Sequence, residues 1–600
     1  PARESSRGLR AEARSVYVAT VVRMSTSQDE GGNTFRQALD HHFVSRWWYH
    51  PVSFRDSESS PIYAWIVATL TIQKQAEAAG MKRIVIVGGP PAVSRALSAA
   101  FDVTVLDPAE TQSPAMILLR GLASRVRYLL GSRRRIEAVK RHSLRPRRRA
   151  DVLLAGFLDW SFRRDSEGGW TDRYFKALPA ELEDRGVKTG WLAWLDPDAE
   201  PGMEGRPFPT ILSQTGADDR VLMLQSFLNR RDVWRAIVDL RPLLAYWRWN
   251  RKGSFRRAFR HGSADLQPLF ANDLLMGFSG ASIPNCELVA LATERAARAA
   301  QPRLLLTFLE HYPHSRAQYA GMRRAGAARL ASMQHASYSR DKTFLHLDPQ
   351  SELAGKPDGA VCPHPDVVFA MGTFGKQLFE ECGYPPASVL LTGSARYEGL
   401  VVSRPAEVRE EPPFRLLMVS SLDIHSEIEM VEAVVKAAGK AGGYGLRIRN
   451  HPFRRIETHP RFARIAGSVT ISDSSLHDDI DGSDLILFTY STVAEEALLR
   501  GKPVWQWLPS GFNGSALAEV VAIPQFGTID ALSEALAAYL RDPRPWLPDA
   551  ERQQEVLLRL FYRAEGSASR IADELKARVA GAKPARPVDE TAVPLRAGES

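Results

Sequence analysis

Five residue pairs in this chain have side chains suited to holding an anion or moving a proton: Glu310-His311, Gln334-His335, Arg396-Tyr397, His451-Pro452 and Ser491-Thr492. Each stands at or just beyond the end of a short apolar run, as LRIRN precedes His451 and LILF precedes Tyr490-Ser491-Thr492. Such runs, bounded by polar or proline signals, read as buried parallel strands. Ligands of open α/β sheets lie at the carboxyl ends of strands, where a following helix start favours phosphate. A single histidine at a strand end is more often a satisfied structural residue. Five clusters on one kind of edge reverse that preference, and inter-strand crevices of two facing domains are where ligands gather. The stretch 446–507 is the centre of the pattern. His451 and the Ser491-Thr492 hydroxyls are expected to hold an anionic ligand, and Arg449 is expected to add charge. Glu495, one turn into VAEEALLRG, either binds the ligand or complements the helix dipole.

The elements that must position these residues alternate strand and helix. KRIVIVGGPPAVSRALSAAFDVTVLDP reads strand, turn, helix, strand, but its adjacent glycines lack the G-x-G-x-x-G spacing of a dinucleotide site. Residues 151–195 form a βαβ unit, and 225–262 are helical in pattern and rich in Trp and Arg. The resulting division is 1–23 as a disordered or artefactual extension before a plausible start at Met24, then 24–150 as an N-terminal α/β unit with a basic linker. A first Rossmann-like domain spans 151–402, a Pro-rich linker 403–413, a second domain and closing helix 414–578, and a disordered tail 579–600. The expected fold class is therefore α/β.

Composition narrows the setting. The chain has 600 residues, is 44% hydrophobic and has three widely spaced cysteines, which argue against a disulfide framework and against a zinc site. No metal or cofactor is expected. No apolar run is long enough to cross a bilayer, and the first residues lack the apolar core of a secretory signal. These features point to the cytoplasm. The net charge of +9 favours anionic partners, much of it from the run SRRRIEAVKRHSLRPRRR. That run is a solvated linker or a contact for an anionic membrane surface; no nucleic-acid motif accompanies it. The Trp/Arg-rich segment 225–262 either lies on a membrane or covers the sheet.

The sequence also resembles a known family. The S-D-L-I-L stretch, then Y-S-T and E-E-A-L-L-R-G-K-P-V, resembles the donor half of GT-B glycosyltransferases. R-N-H-P followed by S-T resembles the His-Pro and Ser/Thr motifs of bacterial sialyltransferases, polysialyltransferases and Kdo-transferases. D-R-Y-F-K-A-L-P at Asp172, L-E-H ending at His311, M-Q-H ending at His335 and G-S-A-R-Y resemble bacterial surface-carbohydrate (O-antigen and capsule) proteins.

The resemblance implies a metal-independent transferase that moves a sugar from a nucleotide-activated donor to a glycan or lipid-linked glycan at the inner face of the cytoplasmic membrane. CMP-Kdo or another CMP-sugar is the first expectation for the donor. It implies that His451-Pro452 and Ser491-Thr492 hold the donor phosphate, with Glu495 near a ribose. That group also carries an acidic D/E-D/E-G motif in its first domain. Asp29-Glu30-Gly31 has the letters but lies outside the proposed domain, so Glu310 is the carboxylate expected in its place, oriented by His311. Glu310 would be general base if the reaction inverts and nucleophile if it retains. His335 with Gln334, and Arg396 with Tyr397, would then bind acceptor or a sugar carboxylate, the guanidinium bidentately. Polyol-phosphate transfer of the teichoic-acid type and a non-catalytic scaffold remain as alternatives.

Overall fold

The computed structural model describes residues 2–42, 44–107, 112–142, 149–157, 161–164, 168–194, 218–308, 312–326, 329–354, 361–403, 409, 411–421, 423–452, 454–509 and 512–581. It opens with a helix, α1 (Ala2–Thr26), where the sequence suggests an extension outside the fold. The reason for the difference is apolar spacing: Ala13, Val16, Tyr17 and Val21 fall on one helical face and are buried in the main core. Arg10 of α1 pairs with Asp341 at 3.2 Å. Asp341 also accepts from the Tyr63 hydroxyl of α2 (Ile62–Ala78) and from the Asn513 amide, both at 3.1 Å.

The strands β1 (Arg83–Val87) and β2 (Asp102–Leu106) pair in parallel around a short helix, as the sequence pattern requires. They do not found a domain with a core of its own. A layer of helices follows: α3 (Pro114–His142), α4 (Arg230–Val238), α5 (Arg241–Arg251), α6 (Gln267–Ser279) and α7 (Ser282–Ala300). Their apolar faces share one cluster with α1, α2 and, beneath them, Leu153, Ala155, Leu192 and Leu305 of the first sheet. Each of these fully buried leucines contributes about 1.5–3 kcal/mol. The basic run is helical as far as His142, with Ile136 and Val139 buried, whereas the sequence reading makes it a linker; residues 143–148 lie outside the described residues.

The first sheet has seven parallel strands: β3 (Val152–Phe157), β4 (Thr189–Trp194), β5 (Val221–Met223), β6 (Leu304–Thr307), β7 (Arg329–Met333), β8 (Val367–Ala370) and β9 (Val389–Leu391), in the order β9-β8-β7-β6-β3-β4-β5. The helix α8 (Pro313–Arg324) follows β6. The second sheet has six: β10 (Phe414–Val419), β11 (Tyr444–Arg449), β12 (Thr470–Ile471), β13 (Leu485–Phe488), β14 (Val504–Trp507) and β15 (Gln525–Phe526), in the order β12-β11-β10-β13-β14-β15. Helices α9 (Ile424–Ala441), α10 (Leu476–Asp481) and α11 (Val493–Leu499) belong to this half. The last helix, α12 (Ser567–Val579), returns to the first half, where Ala568, Ile571, Ala572 and Leu575 close over Val152, Leu154 and Leu304.

Both sheets are doubly wound, and in each the strand order reverses once. The reversal falls between β3 and β6 in the first sheet and between β10 and β13 in the second. Ligand crevices open outside the carboxyl ends of strands at such points. Contacts between loops after β7 and residues after β13 bring the two sets of carboxyl ends face to face. The architecture is the expected α/β fold, two Rossmann-like domains about a cleft, with an added N-terminal layer.

Candidate functional site

At the reversal point of the second sheet, β10 runs into Ser420-Ser421 and β13 into Thr489. Glu427, in the first turn of α9, accepts from the Ser421 hydroxyl at 2.6 Å and from the Thr489 hydroxyl at 2.5 Å. It ties the two strand ends together from a buried position, and burial pushes its carboxyl up to about 7. The sequence reading does not single out Ser420, Ser421 or Glu427. The signal was present in the SS that ends the run LLMV, but only the strand order places it beside Thr489.

Ser491 and Thr492 follow on the same edge and are partly exposed. The Ser491 hydroxyl accepts weakly from the Val493 amide at 3.4 Å, and Thr492 caps α11 without a side-chain cap bond. His451 lies two residues beyond β11 and forms an isolated bridge with Arg454, with Pro452 exposed beside it. Burial, and then the positive charges of Arg173, Arg396 and Arg454, lower its pKa to about 4. A neutral imidazole that feels guanidinium charge from both domains suits an anion bound between them.

Two expected residues are otherwise engaged. Arg449 donates to Asp479 at 2.6 Å and to the Ser474 carbonyl at 2.8 Å, so its charge holds β11 to α10. Arg447, two residues earlier on the same strand face, meets the same buried carboxylate at 3.4 Å. Gln334 is buried, donates to the Ala336 carbonyl at 2.9 Å and accepts from the Met371 amide at 3.0 Å. A Cβ at Gly375 would lie 2.4 Å from its side-chain oxygen, so the glycine makes room for this brace.

The first domain brings His335 and Arg396 together. Arg396 donates to the His335 carbonyl at 3.0 Å, and its guanidinium lies 5.7 Å from the Tyr174 ring and 5.2 Å from that of Tyr397. Tyr397 is buried against Phe561. The His335 ring is edge-on to Tyr174 and Phe308, with the Tyr338 hydroxyl 3.4 Å from Nδ1. Burial and the Arg396 charge lower its pKa to about 3, so it too is neutral at physiological pH. Glu310 and His311 lie outside the described residues. Their described neighbours Phe308 and Tyr312 flank the reversal point of the first sheet, where Gly156, Thr307, Phe308 and His314 line a cavity.

Arg173 and Lys176 are cleft residues that the sequence reading does not assign. Asp172 accepts from the Tyr174 and Phe175 amides at 2.9 and 2.7 Å, and the Thr171 hydroxyl donates to the Lys176 carbonyl at 2.8 Å. That turn holds Lys176 at φ +42°, a left-handed backbone that costs energy for a side chain of this kind. Burial pushes the Glu496 carboxyl up, and the charges of Arg396 and Lys176 act against that shift. The signal in the sequence was two cations bracketing Tyr-Phe, legible only once this loop is set against the other domain.

Glu495 crosses the cleft. It is buried and accepts a hydrogen bond from the Ser337 hydroxyl in the loop after β7. Burial, and then the neighbouring Glu496, raise its pKa to about 8 despite the Ser337 bond and Arg396. Because the folded value exceeds the unfolded one, the folded chain keeps a proton that the unfolded chain has lost. Stability attributable to this group is complete below about pH 4.5 and falls as pH rises toward 8. The wild type should therefore lose stability from pH 5 to pH 8 more steeply than Glu495→Gln, by at most about 1.4 kcal/mol per pH unit. Denaturant unfolding of both proteins across that range measures the difference; parallel curves would exclude it.

No family model matches the chain, and no curated protein does. Among solved structures, a putative UDP-N-acetylglucosamine 2-epimerase from Listeria monocytogenes is similar at 12% identity and a TM-score of 0.41, covering 73% of this chain and 99% of that one. The UDP-GlcNAc 2-epimerase from Neisseria meningitidis bound to UDP-GlcNAc is similar at 12% identity and a TM-score of 0.40, covering 71% and 99%. The glycotransferase of kitacinnamycin is similar at 13% identity and a TM-score of 0.38, covering 72% and 99%.

Proposed function

We propose that this chain is a GT-B-type glycosyltransferase of surface polysaccharide synthesis, transferring a sugar from a nucleotide-activated donor to a glycan or lipid-linked glycan at the inner membrane face. One observation carries the reading: His451 of the second domain lies within the field of Arg173 and Arg396 of the first, at facing strand ends. An activated sugar needs its leaving phosphate stabilised as the glycosidic bond breaks, and preorganised donors in a buried cleft do this without reorganising water. His451, Ser491 and Thr492 would hold the phosphate from the donor side, with Arg173, Lys176 and Arg396 opposite. Arg396 also suits the carboxylate of a CMP-Kdo-like or CMP-sialate-like donor. Glu310 supplies the carboxylate that deprotonates the acceptor or attacks the anomeric carbon, with His311 orienting it.

A transfer and hydrolysis assay across CMP-, UDP- and GDP-sugars tests the reading. Turnover of a CMP-sugar supports it, turnover of another nucleotide sugar changes only the donor, and turnover of none overturns it. His451→Ala should weaken nucleotide binding about tenfold, the loss of one hydrogen bond to a charged group, with little change in melting temperature. Calorimetric titration of nucleotide reads this directly, and an unaltered affinity would remove His451 from the donor site.

A further inference from the structure

Residues 230–260 contain ten arginines and lysines against two carboxylates, Asp232 and Asp239. Both carboxylates are turned inward: Asp232 pairs with Arg295 at 2.6 Å, and Asp239 with Arg46 at 2.6 Å. Apart from Asn250, what α4 and α5 leave exposed is therefore basic or apolar. Trp234 (53% exposed), Val238 (66%), Leu244 (51%) and Trp247 (54%) stand among arginines. Arg230, Arg241 and Lys252 have carboxylate partners, but among the described residues Arg231, Arg235, Arg248 and Arg251 have none.

The neighbouring helix extends the same surface. Arg125 of α3 donates to the carbonyls of Ala236, Ile237 and Asp239 at 2.5, 3.1 and 2.6 Å, which locks α3 against the turn between α4 and α5. On α3, Leu119, Val126 and Leu130 are exposed along one stripe, with Arg120, Arg127 and Arg134 beside them. The single carboxylate of α3, Glu137, is held by Arg133 and Arg230.

We propose that the α3–α4–α5 face is a docking surface for a bilayer rich in anionic phospholipid. Two features favour lipid over nucleic acid. Exposed tryptophans and aliphatic side chains are costly in water and gain by entering the headgroup region, whereas a phosphate backbone has no use for Leu119 or Val238. The unpaired arginines supply charge complementarity to the lipid phosphates, at roughly fivefold in affinity for each. The surface shares no residue with those assigned to the cleft and does not rest on the sugar-transfer reading.

Co-sedimentation of the full chain with phosphatidylcholine vesicles, with and without phosphatidylglycerol, tests it, with tryptophan fluorescence as a second readout. Binding is expected only to the anionic vesicles, with a blue shift. Trp234→Ala/Trp247→Ala should weaken it at least about tenfold. Arg231→Ala/Arg235→Ala/Arg248→Ala/Arg251→Ala should weaken it at least about a hundredfold. Both sets alter exposed positions, so wild-type melting curves and nucleotide affinity are expected in each. Failure to bind anionic vesicles overturns the proposal. So does binding that the tryptophan variant leaves unchanged, binding of a polynucleotide in place of vesicles, or self-association abolished by the same variants.

Discussion

Glu352→Ala is expected to lower folding stability by about 3–5 kcal/mol, the loss seen when one partner of a fully buried ion pair is removed. Arg55 and Glu352 pair with neither side chain exposed to solvent. Arg55 also donates to the His346 carbonyl at 2.8 Å, and Glu352 accepts from the Asp348 amide at 2.8 Å. The pair thus fastens the N-terminal segment to the loop of the first domain that carries Phe344. Phe54 stacks on Phe344 at 5.3 Å and lies 4.8 Å from Tyr312, so the same fastening supports the wall of the cleft. Truncating Glu352 leaves a guanidinium desolvated and unpaired. Replacing both partners, as in Arg55→Met/Glu352→Met, should recover much of the loss, because two apolar side chains need no compensation there. Denaturant midpoints at constant slope give the values; a loss below about 1 kcal/mol in the single variant would mean that water reaches the pair.

Glu310→Gln should reduce transfer by about 10²–10⁴-fold, the scale of a positioned acid or base, while nucleotide affinity and melting temperature stay at wild-type values. The amide keeps the size of the side chain but cannot take a proton or form a glycosyl ester. Glu310 follows buried Phe308 and precedes Tyr312 in the chain, and these two described residues stand just after β6 and just before α8, flanking the reversal point of the first sheet. If configuration is retained, the variant should also fail to accumulate a covalent intermediate in a quenched single-turnover experiment. Near-normal turnover would remove Glu310 from the chemistry and turn attention to the carboxylates of α11.

The position of His451, Ser491, Thr492, His335 and Arg396 just beyond strand ends was legible in the sequence, because polar residues after apolar runs carry a local signal that survives without neighbours. Arg449 misled for the same local reason. Its strand alternation places it with Arg447, but nothing along the chain says that buried Asp479 waits beneath both. Gln334 likewise looks like a site residue until Met371 and Ala336 take up its amide. The helix α1 was missed because a polar, arginine-rich segment reads as solvent-exposed, and its few apolar residues matter only against partners far away in sequence.

By itself the sequence determined the strands of the two sheets, their parallel character and which strand ends carry polar chemistry. These follow from hydrophobic run length and turn residues, which are local properties. Tertiary structure alone decided which of those ends meet. Strand order puts Ser421, Glu427 and Thr489 at one reversal point, and domain apposition sets Arg173 and Arg396 against His451 and Ser337 against Glu495. The strong pKa shifts of His335, His451, Glu427 and Glu495 arise there too, because burial in a cleft between two domains depends on how those domains pack and not on any one stretch of chain.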